Sequence, residues 1–238
     1  MQPALFLHIQ KTAGTSVQEM ARAVYGNDAV CSHGDFLTIG RAGCEAYDFV
    51  SGHFGVAFAK PLLEGRYTFT FLRDPVSRIV SLYSFLSKQD ADKSKLAEVA
   101  KRHDLKGFVT RAKEPEFAPH IWNHQVWQLY HGWVSYDMGQ DKDGKYITNF
   151  IDQDEDSLLE GARANLALFD YVGFADSFDS DIRKIFRDLG AGEIEVPHSN
   201  ASSSTAMVLD GETRAAIEEM TALDRQLYEG ARAVKAYG

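Results

Sequence analysis

Apolar residues along this chain alternate between two patterns. Short, nearly solid apolar runs are each followed by a stretch with apolar positions three and four apart. The solid runs are 4–9 (ALFLHI), 47–50, 67–72 (YTFTFL) and 170–174, with a slighter one at 28–31. Runs of this length, rich in aromatic, β-branched and other apolar residues, predict buried strands. Helical spacing follows at 15–25, 75–87, 176–188 and 212–235. Strand alternating with helix predicts an α/β fold, a three-layer arrangement with a central, mainly parallel sheet flanked by helices. Such sheets bind ligands beyond the carboxyl ends of their strands. Lys11, His53 and Arg73 each stand just past a predicted strand end, so the pattern allows them to converge.

Two of the strand-to-helix junctions carry chemistry. The first reads Lys11-Thr12-Ala13-Gly14-Thr15-Ser16. It offers an ammonium, three hydroxyls and the free N–H groups of a helix start, a combination suited to phosphate or sulfate. It is not the G-x-x-x-x-G-K-[ST] loop of common ATPases and GTPases, because Lys11 precedes Gly14. In the second, FLRDPVSRIVSLY, Asp74 is placed to cap a helix and Pro75 to begin it. Arg73 is positioned to fork a phosphate while the Ser81 hydroxyl, two turns on, adds a hydrogen bond. A capped helix with an ordinary surface arginine is the alternative for this segment taken alone.

Together the two segments resemble the paired donor-binding signatures of the sulfotransferase superfamily. HIQKTAGTS with FLRDPVSRIVSLY is most similar to the carbohydrate-type branch, which includes the heparan sulfate 2-O-sulfotransferases and bacterial relatives. Gln10 stands where that motif usually has proline, which affects loop stiffness and not charge. Looser likeness runs through SGHF (51–54), NHQVWQLYHG (123–132), ANLALFDYVGFADSFDSDI (164–182), Asn200 and LDRQLYEGA (223–231). The late R-K-G triplet of cytosolic small-molecule sulfotransferases is missing from the sequence.

The resemblance implies a P-loop-like fold and a PAPS-dependent sulfotransferase, with 3′-phosphoadenosine 5′-phosphosulfate (PAPS) as donor and the 3′,5′-bisphosphate (PAP) as product. Lys11, Thr12, Ala13, Gly14, Thr15 and Ser16 would hold the 5′-phosphosulfate, and Arg73 with Ser81 the 3′-phosphate. Lys11 would also stabilise charge on the leaving phosphate, and His53 would be the base for the acceptor hydroxyl. No metal is required on this reading. The acceptor is expected to be a carbohydrate, glycolipid or related small metabolite. A small-molecule P-loop kinase and a non-catalytic binder of anionic nucleotides or glycans are the two alternatives.

Histidine suits general-base work near neutral pH, and Ser51 and Gly52 before His53 allow close approach. His8 is expected to point into the sheet. His120 and His124 are four apart, a spacing that fits a metal or a helix face, and no HExxH accompanies them. Asn123 and Gln125 are candidates to reach donor or acceptor. Trp122, Trp127, Tyr130 and Trp133 read as core residues or as a sugar-stacking surface. Asn200 and Ser202, in the polar stretch PHSNASSST, are possible donor contacts, and a hairpin turn is predicted at Asp143-Gly144.

The chain has 238 residues and ordinary globular composition, 45% hydrophobic and 25% charged. A single domain over 1–238 is expected, with 88–150 a helical insertion on the acceptor side and 88–116 one or two surface helices. A formal net charge of −9 argues against a nucleic-acid partner. No apolar run is long enough to span a bilayer and no signal peptide is evident, which leads to the expectation of a cytoplasmic, bacterial enzyme. Cys31 and Cys44 are expected to be free thiols.

Overall fold

Each solid apolar run becomes a strand whose alternate side chains feed two separate cores. The computed structural model describes residues 1–32, 34–132, 153–196 and 207–237, the side chain of Tyr237 aside. Among them, β1 (Ala4–Leu7), β2 (Val30–Cys31), β3 (Phe49–Gly52), β4 (Tyr67–Leu72) and β5 (Tyr171–Phe174) form one sheet in the order β2-β3-β1-β4-β5. Every pairing is parallel, and β1 lies between β3 (Leu7 opposite Gly52) and β4 (Leu7 opposite Thr70). The described helices are α1 (Gly14–Tyr25), α2 (Phe36–Cys44), α3 (Val56–Ala59), α4 (Pro75–Leu86), α5 (Lys95–Arg102), α6 (Leu105–Val109), α7 (Ala118–Ile121), α8 (His124–Tyr130), α9 (Glu155–Leu166), α10 (Phe178–Asp188), α11 (Gly211–Met220) and α12 (Ala222–Tyr237).

Ala4, Phe6, Phe49, Phe69 and Phe71 pack against α1 and α10, through Val17, Met20, Ile182, Ile185 and Phe186. Leu5, Leu7, Val50 and Leu72 face the opposite way, onto α4, α8 and α9. The result is the expected three-layer α/β arrangement. After β1 the chain runs toward β2; after β4 it runs toward β5, on the other side. That reversal is a topological switch point at the carboxyl ends of β1 and β4, the place where open parallel sheets bind ligands.

Local signals explain most boundaries. Asp74 accepts the Ser77 N–H at 2.8 Å and Pro75 opens α4. Three expectations need correction. β3 runs 49–52, not 47–50, because its register is set by β1; Ser51 and Gly52 carry no apolar signal yet are wholly buried. The helix expected over 212–235 is two helices, parted at Thr221, because the Asn123 side chain inserts there and accepts from Leu223 N at 2.9 Å and Asp224 N at 3.3 Å. The stretch 88–116 forms α5 and α6, but it is anchored in the core by Val99, Leu105, Phe108, Val109 and Ala112 and is not merely a surface layer. The Asp143-Gly144 turn, Trp133, Asn200 and Ser202 lie outside the described residues. Cys31 and Cys44 are buried free thiols, their sulfurs 3.8 Å apart. No described helix is long and apolar enough to cross a membrane.

Candidate active site

The three candidate residues leave adjacent strands: His53 follows β3, Lys11 follows β1 and Arg73 follows β4. Neighbouring strands are about 4.8 Å apart, so their exits are brought within about 10 Å. Contact between the two candidate segments is direct. The Arg73 guanidinium donates from Nη1 to the Lys11 carbonyl at 3.1 Å.

Between β1 and α1 the chain makes an unusual loop. Lys11 (φ 67°) and Ala13 (φ 74°) both take left-handed backbone conformations. For residues with a Cβ each costs about 1–2 kcal/mol. Alternating handedness of this kind turns successive N–H groups toward one point and makes an anion-binding hollow. Thr12 is buried and its hydroxyl donates to the Ile9 carbonyl at 2.8 Å, so that hydrogen is spent closing the loop. What Thr12 can offer an anion is its backbone N–H. Gly14 is required sterically: a Cβ there would lie 1.8 Å from Nε2 of His8. His120 donates from Nδ1 to Oε1 of Gln10 at 3.1 Å and ties the loop to α7.

Cations crowd this spot. The Lys11 ammonium lies 4.0 Å from the centre of the Phe85 ring. Burial first, then the Arg73 and Lys88 charges, pull its pKa from 10.5 down to about 8. Burial likewise lowers Arg73, against the opposing pull of Asp74. Ser81, Phe85 and Lys88 recur at helical spacing, so Ser81 shares the α4 face turned to Lys11. Phe85 and Lys88 were not legible as site residues, because nothing in sequence says which face of α4 meets the loop.

His53 has a defined orientation. Its Nδ1 lies 2.8 Å from the His8 carbonyl, which only accepts, so Nδ1 carries the proton and Nε2 is the basic nitrogen of the neutral ring. The His8 and His53 rings are 4.2 Å apart. His8 therefore lies over Gly14 and beside His53, buried and stacked on Phe6 of β1, in keeping with a side chain turned onto the sheet.

Helix α8 runs across the same strand ends. Gln125 accepts the Arg73 N–H at 3.0 Å and donates to the Arg73 carbonyl at 2.9 Å. The two Nε2 hydrogens of Gln128 are shared among three carbonyls, those of His8 (3.0 Å), His53 (3.2 Å) and Phe54 (3.0 Å). Gln125 thus holds backbone, not donor or acceptor, and Gln128 was missed in the sequence. The available signal was two glutamines one turn apart among the apolar residues of QVWQLY.

Asn123 is likewise consumed, capping α12, so it is no candidate for substrate contact. His120 and His124 fall in different helices and do not share one helix face. Both are kept neutral, chiefly by burial: His120 is pulled down to about 4 and His124 well below its ordinary value. Trp122 and Trp127 are buried core residues.

Comparison with known proteins agrees with this geometry. One solved structure similar to this chain is described as the crystal structure of a sulfotransferase from Alicyclobacillus acidocaldarius. It has a TM-score of 0.54 and 13% identity over 98% of this chain and 96% of that one, a likeness of fold. No curated protein matches the chain. The model of the sulfotransferase family named Sulfotransfer_2 matches residues 2–232, and the chain belongs to that family.

Proposed function

We propose that this sulfotransferase uses PAPS as donor and a hydroxyl of a carbohydrate, glycolipid or related small metabolite as acceptor, releasing PAP. The observation that carries the reading is the bond from the Arg73 guanidinium to the Lys11 carbonyl, because it brings the two candidate donor-binding segments into contact. The residues fit such a donor. The left-handed turns at Lys11 and Ala13 aim backbone N–H groups of the 11–16 loop, and Lys11 and Arg73 supply positive charge beside it. An arginine placed for a 3′-phosphate selects against ATP, which lacks that group.

The bound donor supplies the sulfuryl group and a 5′-phosphate leaving group. Backbone N–H groups of residues 13–16 hold the 5′ end, with Thr15 and Ser16 adding hydroxyls, and Arg73 with Ser81 holds the 3′ end. The Lys11 ammonium stabilises charge as it gathers on the leaving oxygen. His53 accepts the acceptor's proton at Nε2, while its Nδ1–H stays on the His8 carbonyl. Positioning and fixed positive charge supply the catalysis, as in phosphoryl transfer.

Calorimetry with PAP and with ATP, each with and without magnesium, tests the donor. Tighter, metal-independent binding of PAP is expected; a strong preference for magnesium-ATP favours a kinase instead. In His53→Ala, transfer from labelled PAPS to a panel of glycans and glycolipids is expected to vanish while PAP affinity stays within about twofold. Retained turnover in that variant would exclude His53 as the base.

A further inference from the structure

We infer that Gln125 and Gln128 of α8 are positioning residues that separately set the two halves of the sulfuryl-transfer site, Gln125 the donor end and Gln128 the base. This rests on the donor and base roles proposed above and identifies what holds those groups in register.

A strand that ends at a crevice leaves backbone donors and acceptors without a ladder partner. At the end of β4 the Arg73 N–H and C=O are both taken by the Gln125 amide, at 3.0 and 2.9 Å. That two-point contact fixes the peptide from which the guanidinium springs, and the guanidinium in turn holds the Lys11 carbonyl. At the ends of β1 and β3 the carbonyls of His8, His53 and Phe54 converge on one Gln128 amide. The His8 carbonyl is also the acceptor that fixes the tautomer of His53. Gln128 therefore acts on the base through the carbonyl the base depends on. Both glutamines are fully buried, so neither is available as a substrate ligand.

The spacing suits this division. Residues three apart in a helix are about 4.5 Å apart along its axis, close to one strand spacing of about 4.8 Å. One rigid turn of α8 therefore spans β4 on one side and the β1–β3 pair on the other. The helix is itself held by exchange of caps with α12. Asn123 accepts from the Leu223 and Asp224 N–H groups, and Asp224 accepts from Val126 N at 2.8 Å. Where that exchange sets α8 also sets both contacts, although each contact acts on a different group.

The test uses Gln125→Met and Gln128→Met, which keep side-chain length and remove the amide. Two readouts are taken on the full chain: PAP affinity by calorimetry, and the His53 tautomer from two-bond 1H–15N NMR of the imidazole. Gln125→Met is expected to weaken PAP at least about tenfold and leave the His53 tautomer as in the unaltered protein. Gln128→Met is expected to leave PAP affinity within about twofold and to spread His53 over both tautomers. If Gln128→Met does not fold, Gln128→Asn, whose amide falls one methylene short, carries the same expectation, and Gln125→Asn does so for Gln125. A merely structural role predicts a shared signature. Any result in which the variants change together, or neither changes, overturns the inference. Failure of the unaltered protein to bind PAP counts instead against the donor reading, and the tautomer measurement still tests Gln128.

Discussion

Lys11 offers the sharpest quantitative test, because its free-state pKa of about 8 places its titration in an accessible range. An anionic donor binds the ammonium form better than the neutral amine, so binding must draw the proton back on. With a pKa of about 8, roughly nine-tenths of Lys11 is charged at pH 7 and roughly one-tenth at pH 9. If only the charged form binds, the PAP dissociation constant rises about tenfold between those values, equivalent to about 1.4 kcal/mol. The phosphates contribute little above neutrality, since the second ionisation of a phosphate monoester lies near pH 6. Calorimetry across pH 7–9 in buffers of differing ionisation enthalpy measures both affinity and proton uptake, which should approach one proton per PAP at pH 9. Lys11→Met should bind more weakly at pH 7 and show neither the slope nor the uptake. A flat profile in the unaltered protein, or the same slope in Lys11→Met, refutes the reasoning.

The same burial makes Lys11 costly to the unliganded fold. Its folded pKa lies below the unfolded value, so the penalty is full below pH 8 and fades as pH rises toward 10.5. After allowance for solvent screening the penalty is about 1 kcal/mol, so Lys11→Met should melt roughly 2–4 °C higher at pH 7, with the gain shrinking at high pH. Gly14→Ala places a Cβ 1.8 Å from His8 Nε2, forcing the His8 ring toward His53 or the loop outward; transfer and PAP affinity should both fall at least about tenfold, and unchanged kinetics would disprove the tight fit. Asn123→Ala orphans two buried N–H groups of α12 and puts alanine at φ 40°, costing about 2 kcal/mol and roughly 4–8 °C of melting temperature. Asn123→Gly, which removes only the backbone strain, should recover part of that loss in the same melting experiment.

Much of this molecule is written locally in its chain. β4 and α4 were expected at 67–72 and 75–87 and stand at Tyr67–Leu72 and Pro75–Leu86, because apolar runs, an Asp cap and a Pro start act between near neighbours. The candidacy of the two loops as anion sites was read from the sequence for the same reason: it follows from residue type and from position at a helix start. Their contact rests on strand order, which sets β3, β1 and β4 side by side although Lys11 and Arg73 are 62 residues apart. The split near Thr221, the register of β3, the face of α4 that meets Lys11, and the two glutamines that hold strand ends depend on partners remote in sequence. Periodicity records how much of a side chain is buried; it carries no information about which distant peptide a buried amide will find. Chain-local energetics therefore determined the elements and the reactive groups, and only packing between elements decided their alignment.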